Sequence, residues 1–588
     1  MDLRTHRRTL TLARLIYEHK KNVISRIEAH PQKPACRDDF QVDQPFPRTS
    51  PEIQGFTSSH IDAFIEALQN DASLDLHSVM IIRNGSVIAE ADFGAYDHRL
   101  WHITHSECKS ITGLAIGMLI DDGKLSLDDR LLDLFAKQKI PLSLLTHKNM
   151  TVQHLLTMSS GAVFNELGAI TETNWIKSFM ETTVITEPGK LFNYNSMNTY
   201  MLSAIVHEIS GLGLTNFLQE RLWKPLGISN IFWETCPRGI EKGGWGLYIQ
   251  PEDLAKIGQL IMQKGRWHDQ QLVSEHWIEE MLTAKMSTIQ SLCEYDYGYQ
   301  IWVGRTRNSF LMNGLFGQNV IGFPDDGLLI LSNAGNNELF QQSNFYVHID
   351  NYFSEDLCKK QNANSIAVSR VKNSWLPSLA VERLGNHEEV LAALHGKIFK
   401  TDPTESIAVG LLPFITQLLQ NNFTQGLISI GFEFIEGEFY LTVTETDESY
   451  RLPVGFDTPR TADLSFHGEP YRVGVSGRLT SDEDDNPVLK LRISFLEIAN
   501  SRLIKIHIYG NTIIIKLTES PGVQFFANAV DGFKSELKSY SFIDNLIGIF
   551  ENSHVSEKFK HILEPQVSAR LMERTTNNEQ LRNIHPVN

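Results

Sequence analysis

The chain reads SECKSITGLAIGMLIDDG from Ser106 to Gly123, and this stretch is the most informative part of the sequence. Its apolar residues recur at helical spacing, and Asp121-Asp122-Gly123 is a typical helix end. Ser106 and Lys109 are three residues apart, so their side chains lie on one face at the start of the predicted helix. A lysine that burial keeps neutral can accept the proton of a serine, and a helix N-terminus offers N–H groups to an oxyanion. The stretch therefore predicts a nucleophilic serine with a lysine base.

A lone Ser-x-x-Lys pattern also fits a helix N-cap serine beside a solvated lysine. Two further clusters are therefore needed to support a catalytic interpretation. Phe192-Asn193-Tyr194-Asn195-Ser196 contains a tyrosine that can relay protons, although it could equally cap the helix that follows. Gly314-Leu315-Phe316-Gly317-Gln318 precedes a predicted strand, and its glycines allow a backbone N–H to approach a bound group. By itself this third cluster is equally well explained as a tight turn.

Composition restricts the class of protein. The chain has 588 residues and a net charge of −17, which argues against nucleic acid as the main partner. Its five cysteines are scattered, which predicts neither a disulfide framework nor a zinc site and suits a reducing compartment. The apolar run Leu10–Tyr17 is too short for a signal-peptide core, and no stretch has the length of a membrane span. We therefore expect a cytoplasmic protein without an integral membrane segment.

The pattern of predicted elements divides the chain into five parts. These are an N-terminal helix and linker, an α/β (α+β) domain, a polar linker, a small antiparallel β-rich domain and a helical tail (residues 1–50, 51–352, 353–394, 395–520 and 521–588). Strands at both ends of the second part, with helices between them, predict one antiparallel sheet joined from both sides of a helical insertion. The β-rich part could be lipocalin-like and could cover the mouth of the active site, and Val523 to Leu571 reads as helix.

In their order and spacing the three clusters resemble the serine β-lactamase and penicillin-binding-protein superfamily. The resemblance is to its class C-like branch, which includes esterases and aminohexanoate-oligomer hydrolases, and it covers about residues 50–350. Further segments fall where that family has them: Thr151–Gly161, Pro225–Gly227, Gly244–Leu247, Pro251–Leu254 and Tyr297–Tyr299. The resemblance implies an antiparallel sheet flanked by helices beside an all-helical lobe, with the active site between them.

The resemblance also implies roles for individual residues. Ser106 would be the acylated nucleophile, Lys109 its general base and Tyr194 the proton shuttle. The backbone N–H groups of Ser106 and Leu315 would form the oxyanion hole. No cofactor or metal is implied, and the residues expected to contact a substrate are Ser196, Asn313, Gly314, Gln318 and Trp245.

One departure from the family affects the expected substrate. The third motif often begins with lysine or histidine, whereas this chain has Met312-Asn313-Gly314. Without that cation, the site lacks a natural partner for the carboxylate of penicillins or D-Ala-D-Ala peptides. We therefore do not expect hydrolysis of penicillins or cell-wall peptides. Tyr194-Asn195-Ser196 and Gly317-Gln318 resemble the branch of aminohexanoate-oligomer hydrolases and related esterases, and this resemblance implies small linear esters or amides as substrates.

Other interpretations remain open at this level. The acyl group could pass to an amine, which would make the protein an acyltransferase or peptide cyclase. The chain could also be a non-catalytic sensor or an assembly-forming scaffold, with a homo-oligomer formed through residues 395–588. A zinc site at His102 and His105 lacks nearby carboxylate or cysteine ligands, and a Ser–His–Asp triad lacks the Gly-x-Ser-x-Gly elbow.

Overall fold

The structure is a computed structural model, and it describes most of the two predicted domains. The described residues are 33–37, 39–138, 147–169, 171–288, 294–338, 340–361, 387–402, 410–424, 426–446, 448–522 and 564–572.

The first domain is built on a seven-stranded antiparallel sheet in the order β2-β1-β12-β11-β10-β9-β8. Its strands are β1 (Leu76–Arg83), β2 (Ser86–Asp92), β8 (Tyr295–Tyr297), β9 (Trp302–Gly304), β10 (Phe310–Gly314), β11 (Gln318–Phe323) and β12 (Leu328–Ala334). β1 pairs with β12, so the chain leaves the sheet after β2 and rejoins it at β8. This arrangement confirms the prediction of one sheet interrupted by a helical insertion.

The hairpin between β1 and β2 turns at Asn84 and Gly85, an Asn-Gly pair whose sequence predicts a two-residue turn, and their φ angles of 49° and 74° are those of such a turn. The prediction missed β10, because all five of its residues are buried and the strand lacks the alternation of a half-exposed one.

The insertion and the flanks of the sheet are mainly helical. The α-helices of this domain are Ser58–Asn70, Cys108–Asp121, Leu131–Leu134, Val152–Leu156, Glu166–Ala169, Trp175–Met180, Ser196–Ser210, Leu214–Leu218, Pro251–Met262, Glu275–Met281, Asn344–Phe353 and Glu355–Gln361. Shorter helical turns are Pro51–Gln54, His105–Glu107, Ala136–Gln138, Gln219–Trp223 and Pro324–Asp326. Two small sheets complete the domain: β3 (His102–Ile103), β4 (Ile231–Trp233) and β5 (Leu247–Ile249), and β6 (Arg266–Trp267) with β7 (Gln270–Gln271).

Within the described parts of the chain, no single helix has both the length and the apolar composition needed to cross a bilayer. Ser196–Ser210 and Leu214–Trp223 meet that criterion only when taken together, and they bend by 69°.

The second domain is a ten-stranded antiparallel sheet in the order β16-β15-β14-β13-β22-β21-β20-β19-β18-β17. Its strands are β13 (Ile398–Thr401), β14 (Leu427–Ile435), β15 (Glu438–Glu445), β16 (Ser449–Val454), β17 (Arg460–Phe466), β18 (Glu469–Ser481), β19 (Pro487–Phe495), β20 (Ser501–Tyr509), β21 (Thr512–Ser520) and β22 (Gln566–Leu571). Its helices are His387–Leu394 and Phe414–Gln420. The two end strands follow one another in the chain, and Gly455 bridges to Ser476 of β18, so the sheet curves back on itself.

The β-rich domain is therefore larger than predicted. β16 and β17 were missed because their outward positions are polar and include Pro453 and Asp463, which strands disfavour. Their buried positions alternate, however, and pairing with β15 and β18 outweighs local propensity.

The predicted helical tail is wrong for Gln566–Leu571, which forms β22 between β13 and β21. Val567 and Ala569 alternate with more exposed neighbours, and both are buried in the core of the sheet, which a helix could not achieve. The two described ends of the predicted linker, Glu355–Gln361 and His387–Leu394, are helices.

The two domains share a buried polar contact next to the start of the helical insertion. Glu497 of the β-rich domain accepts hydrogen bonds from Lys33 Nζ and Trp101 Nε1, both at 2.6 Å, and the Lys33–Glu497 side chains are fully buried. The Glu497 carbonyl accepts a hydrogen bond from Ile103 N at 2.9 Å. The β-rich domain thus holds the segment that leads into Ser106.

We expect Lys33→Met to lower the free energy of unfolding by about 3 kcal/mol or more, because it leaves the Glu497 carboxylate buried without its cation. Urea unfolding followed by circular dichroism measures this difference. Lys224→Met, which removes an exposed i,i+4 pair with Glu220, is the control and should change stability little. Equal stability of the Lys33 variant and the wild type would contradict a coupling role for this pair.

Candidate active site

Ser106 lies where three elements of the first domain meet. It is part of the short helical turn His105–Glu107, directly before the helix Cys108–Asp121. β3 leads into this turn and pairs with β5, and Thr104 N donates to Leu247 O at 2.8 Å. His105 has a φ of 46°, a left-handed conformation that is unusual for a residue other than glycine. Backbone strain of this kind is common where a functional side chain must be held in one orientation.

Lys109 is buried beside Ser106. Its Nζ donates to Ser106 Oγ at 2.8 Å and to the Gly244 carbonyl at 2.6 Å, and the residue is only 2% exposed. Burial lowers the pKa of Lys109 to about 8, because the desolvated ammonium is disfavoured. Glu166 opposes this shift from nearby and favours the charged form. A lysine with this pKa has a substantial neutral fraction close to neutral pH and can accept a proton.

The Gly244 carbonyl reaches Lys109 because two glycines let their segment lie against the helix Ser196–Ser210. A Cβ at Gly243 would lie 2.7 Å from the Cβ of Ser203, and one at Gly244 would lie 3.0 Å from the Ser196 carbonyl oxygen. Sequence reasoning placed Gly244 in a family segment but did not identify its carbonyl as a partner of the lysine. A carbonyl across the fold leaves no local signal in the sequence.

Tyr194 completes the group of three predicted catalytic residues that the structure brings together. Lys109 Nζ lies 5.0 Å from the centroid of the tyrosine ring. The ring stacks on Trp302 with centroids 5.8 Å apart and makes an edge contact with Phe340 at 5.4 Å. The residue is 9% exposed, so most of its ring is buried in these contacts.

The end of β10 runs beside the segment that carries the serine. A Cβ at Gly314 would lie 2.3 Å from the Thr104 carbonyl oxygen, so only glycine allows this approach. Leu315 follows directly, and Phe316 has a φ of 69° and contacts His105 edge-on at 5.4 Å. The predicted oxyanion donor, Leu315 N, therefore belongs to the tight turn between β10 and β11, next to the serine turn.

We expect Gly314→Ala to reduce both stability and acylation, because the new methyl group would force β10 away from Thr104. Overpacking of this kind costs about 1–3 kcal/mol. Gly431→Ala in β14 is the matched control, since its Cβ would have 3.5 Å to the nearest atom. Thermal unfolding and the rate of labelling by a serine-reactive probe measure the two effects. A Gly314 variant labelled at the wild-type rate would show that the close approach is not needed.

Two of the predicted substrate contacts have other roles. Gln318 is fully buried, donates to the Leu315 and Ala334 carbonyls, and accepts from Asn333 Nδ2 and Ala334 N. All of its amide groups are occupied inside the sheet, so the prediction that it contacts substrate is wrong. The Asn313 amide donates to Asn319 Oδ1 at 2.8 Å and to the Tyr346 hydroxyl at 3.3 Å, which makes it part of an internal network.

Ser196 and Trp245 lie close to Lys109 in the fold. Ser196 begins its helix, and its N–H donates to Glu166 Oε1 at 3.0 Å. Trp245 follows Gly244, stacks on Trp175 with centroids 5.7 Å apart, and is 8% exposed. Both are therefore mostly buried, and a substrate could reach only a small part of either side chain.

The two histidines near the serine are buried and lie in different surroundings. His102 Nε2 lies 3.1 Å from His77 Nδ1, and burial lowers the pKa of His102 to about 4. Burial, with His102 and Lys109 nearby, lowers the pKa of His105 to about 3. Both imidazoles are therefore neutral near neutral pH, and His105 adds no competing positive charge beside Lys109.

Comparison with known proteins places the first domain in a family. Residues 61–348 match the family model described as Beta-lactamase. The chain is 26% identical over 297 residues to "Putative penicillin-binding protein PbpX" of Bacillus subtilis (strain 168). The alignment covers 45% of this chain and 73% of that protein. The chain is 23% identical over 272 residues to the 6-aminohexanoate-dimer hydrolase of Paenarthrobacter ureafaciens, which covers 41% of this chain and 68% of that protein.

Solved structures also align with the chain. EstCE1, a hydrolase with promiscuous acyltransferase activity, superposes with a TM-score of 0.44 and 14% identity, covering 52% of this chain and 99% of that one. The family match ends at residue 348, so the ten-stranded domain lies outside it.

Proposed function

Because residues 61–348 of the chain belong to the serine β-lactamase and penicillin-binding-protein superfamily, we propose that the protein is a metal-independent serine hydrolase that forms an acyl-enzyme on Ser106. The observation that carries the proposal is the 2.8 Å contact between Nζ of the buried Lys109 and Ser106 Oγ. A solvated lysine beside an N-cap serine would be exposed and would have an ordinary pKa. Lys109 is buried, and its pKa is lowered to about 8.

In the proposed acylation, Ser106 Oγ attacks the substrate carbonyl carbon while neutral Lys109 takes the hydroxyl proton. The negative charge that develops on the carbonyl oxygen is stabilised by the N–H groups of Ser106 and Leu315. The bond to the leaving alkoxide or amine then breaks; Tyr194 protonates the leaving group and is reprotonated by the Lys109 ammonium. In the second half, water attacks the acyl carbonyl carbon and gives a proton to the Lys109–Tyr194 pair, and that proton returns to Ser106 Oγ as the acid leaves.

The proposed substrates are small linear esters or amides. Met312 occupies the position where relatives often carry a cation, and its side chain is buried in the apolar core. A carboxylate on the substrate would therefore lack a partner at this position, which disfavours penicillins. The rings of Trp302 and Phe340 pack against Tyr194, so the surroundings of the proposed proton shuttle are apolar.

Intact mass measurement after incubation with a fluorophosphonate, followed by peptide mapping, tests the proposal. We expect one adduct, on the peptide that contains Ser106. Turnover of p-nitrophenyl esters and of small amides, with and without an added amine, then separates hydrolysis from acyl transfer. A folded protein that forms no adduct and turns over no ester would contradict the proposal and favour a non-catalytic role.

We expect Tyr194→Phe to lower kcat by about 10²–10⁴-fold, since the phenol would no longer pass a proton to the leaving group. The ring packing on Trp302 is retained, so stability should change little. Tyr352→Phe, in the helix Asn344–Phe353, is the control. The loss should be larger for amides than for activated phenyl esters, whose leaving groups need no proton. Equal losses for both substrates would argue against a proton-transfer role.

A further inference from the structure

A cavity of about 630 Å³ lies between the two domains, apart from Ser106 and its neighbours. One wall belongs to the first domain. It consists of the C-terminal end of the helix Ser58–Asn70, residues 74–76 at the start of β1 and residues 93–96 after β2. The other wall is the outer face of β18, β19, β20 and β21 together with residues 455–459. Its volume is that of a typical small-molecule site. The apolar residues of the lining include Leu68, Leu74, Phe93, Phe456, Pro459 and Leu503.

A row of four cations crosses this wall. Arg478 pairs with Lys490, Lys490 with Lys505, and Lys505 with Lys516, so one basic residue occupies the same level of four adjacent strands. All four are exposed, and all four line the cavity. With strands about 4.8 Å apart, the row spans about 14 Å.

Cationic side chains outnumber carboxylates in the cavity lining. Among the lining residues the carboxylates are Asp75 and Asp457, and Asp75 is held by Arg492 at 2.6 and 2.7 Å. Within the described residues, no carboxylate forms an ion pair with any of the four cations of the row. Like charges directly opposite one another destabilise a sheet, so the row has no folding benefit. It is also unexpected in a chain with a net charge of −17.

We infer that this cavity is a binding site for a small organic phosphate, with the phosphate groups on the row Arg478–Lys490–Lys505–Lys516 and the organic part against the apolar wall. Cationic side chains in line favour a ligand with two or more negative charges over a monovalent anion. With the facing wall of the first domain the site is a half-open cavity, which suits a free molecule better than a flat membrane surface. The inference does not depend on the proposed hydrolase activity.

Isothermal titration calorimetry of the full chain with two probes, sodium pyrophosphate and octyl phosphate below its critical micelle concentration, tests this site, and inorganic phosphate is titrated as the reference. We expect both to bind the wild type, and octyl phosphate to bind more tightly than inorganic phosphate because its chain contacts the apolar wall. Lys490→Gln/Lys505→Gln, which neutralises the centre of the row, should weaken pyrophosphate binding at least tenfold. Lys490→Arg/Lys505→Arg should retain binding.

Lys397→Gln/Lys400→Gln is the matched control, because it removes two lysines of the same domain that do not line the cavity. Its affinity for both probes should equal that of the wild type. Failure of both probes to bind at millimolar concentration would overturn the inference, and so would equal binding by the Lys490/Lys505 glutamine variant. Sedimentation with phosphatidic acid vesicles but no binding of soluble probes would also overturn it in favour of a membrane surface.

Discussion

Ser106→Ala should abolish labelling by fluorophosphonates and lower ester turnover on the order of 10⁴–10⁶-fold. The variant removes the only atom that forms the acyl bond, and the remaining backbone donors can stabilise an oxyanion only for attack by water. The fold should survive, because the serine hydroxyl contacts Lys109 and does not cap the helix Cys108–Asp121. Intact mass spectrometry and initial rates with a p-nitrophenyl ester measure the two effects.

Ser126→Ala is a suitable control for this experiment, since Ser126 is exposed and lies in the turn after the same helix. It should be labelled and should turn over ester as the wild type does. If the Ser106 variant were still labelled at a single site, another residue would be the nucleophile and the proposed mechanism would be wrong.

Lys109→Met should lower kcat/KM by about 10²–10⁴-fold, because methionine fills a similar volume but cannot accept the serine proton. In the wild type, kcat/KM should rise with pH and level off above an inflection near pH 8, since only the deprotonated amine acts as a base. Below about pH 8 Lys109 is mostly protonated and cannot accept the serine proton, so kcat/KM should fall as the pH is lowered. In the variant this inflection should disappear.

The stability of the Lys109→Met variant distinguishes loss of a base from loss of structure. A buried amine is costly, so the urea midpoint should stay the same or rise. Lys124→Met, which removes an exposed lysine paired with Asp122 just after the same helix, should change neither the rate nor the pH profile. Near-full activity of Lys109→Met would contradict the assignment of Lys109 as the general base.

Much of the first domain was predictable because its signals are local. The hairpin at Asn84-Gly85 and the Ser106–Lys109 spacing are readable from a few adjacent residues. The predictions failed where pairing or burial outweighed local propensity. β10 is buried on both faces, and Gln566–Leu571 becomes a strand only between β13 and β21. The Gln318 side-chain amide forms hydrogen bonds with the backbone of its own sheet.

The sequence by itself determined which residues could do chemistry, because Ser106 and Lys109 are one helical turn apart and their side chains must meet. Only the tertiary structure decided that Lys109 is buried, and this burial is what lowers its pKa. The basic row shows the same contrast. Arg478, Lys490, Lys505 and Lys516 are separated by irregular intervals of chain, and it is the register of four strands that sets them side by side. Contacts between distant segments depend on packing of the whole chain, which no local pattern encodes.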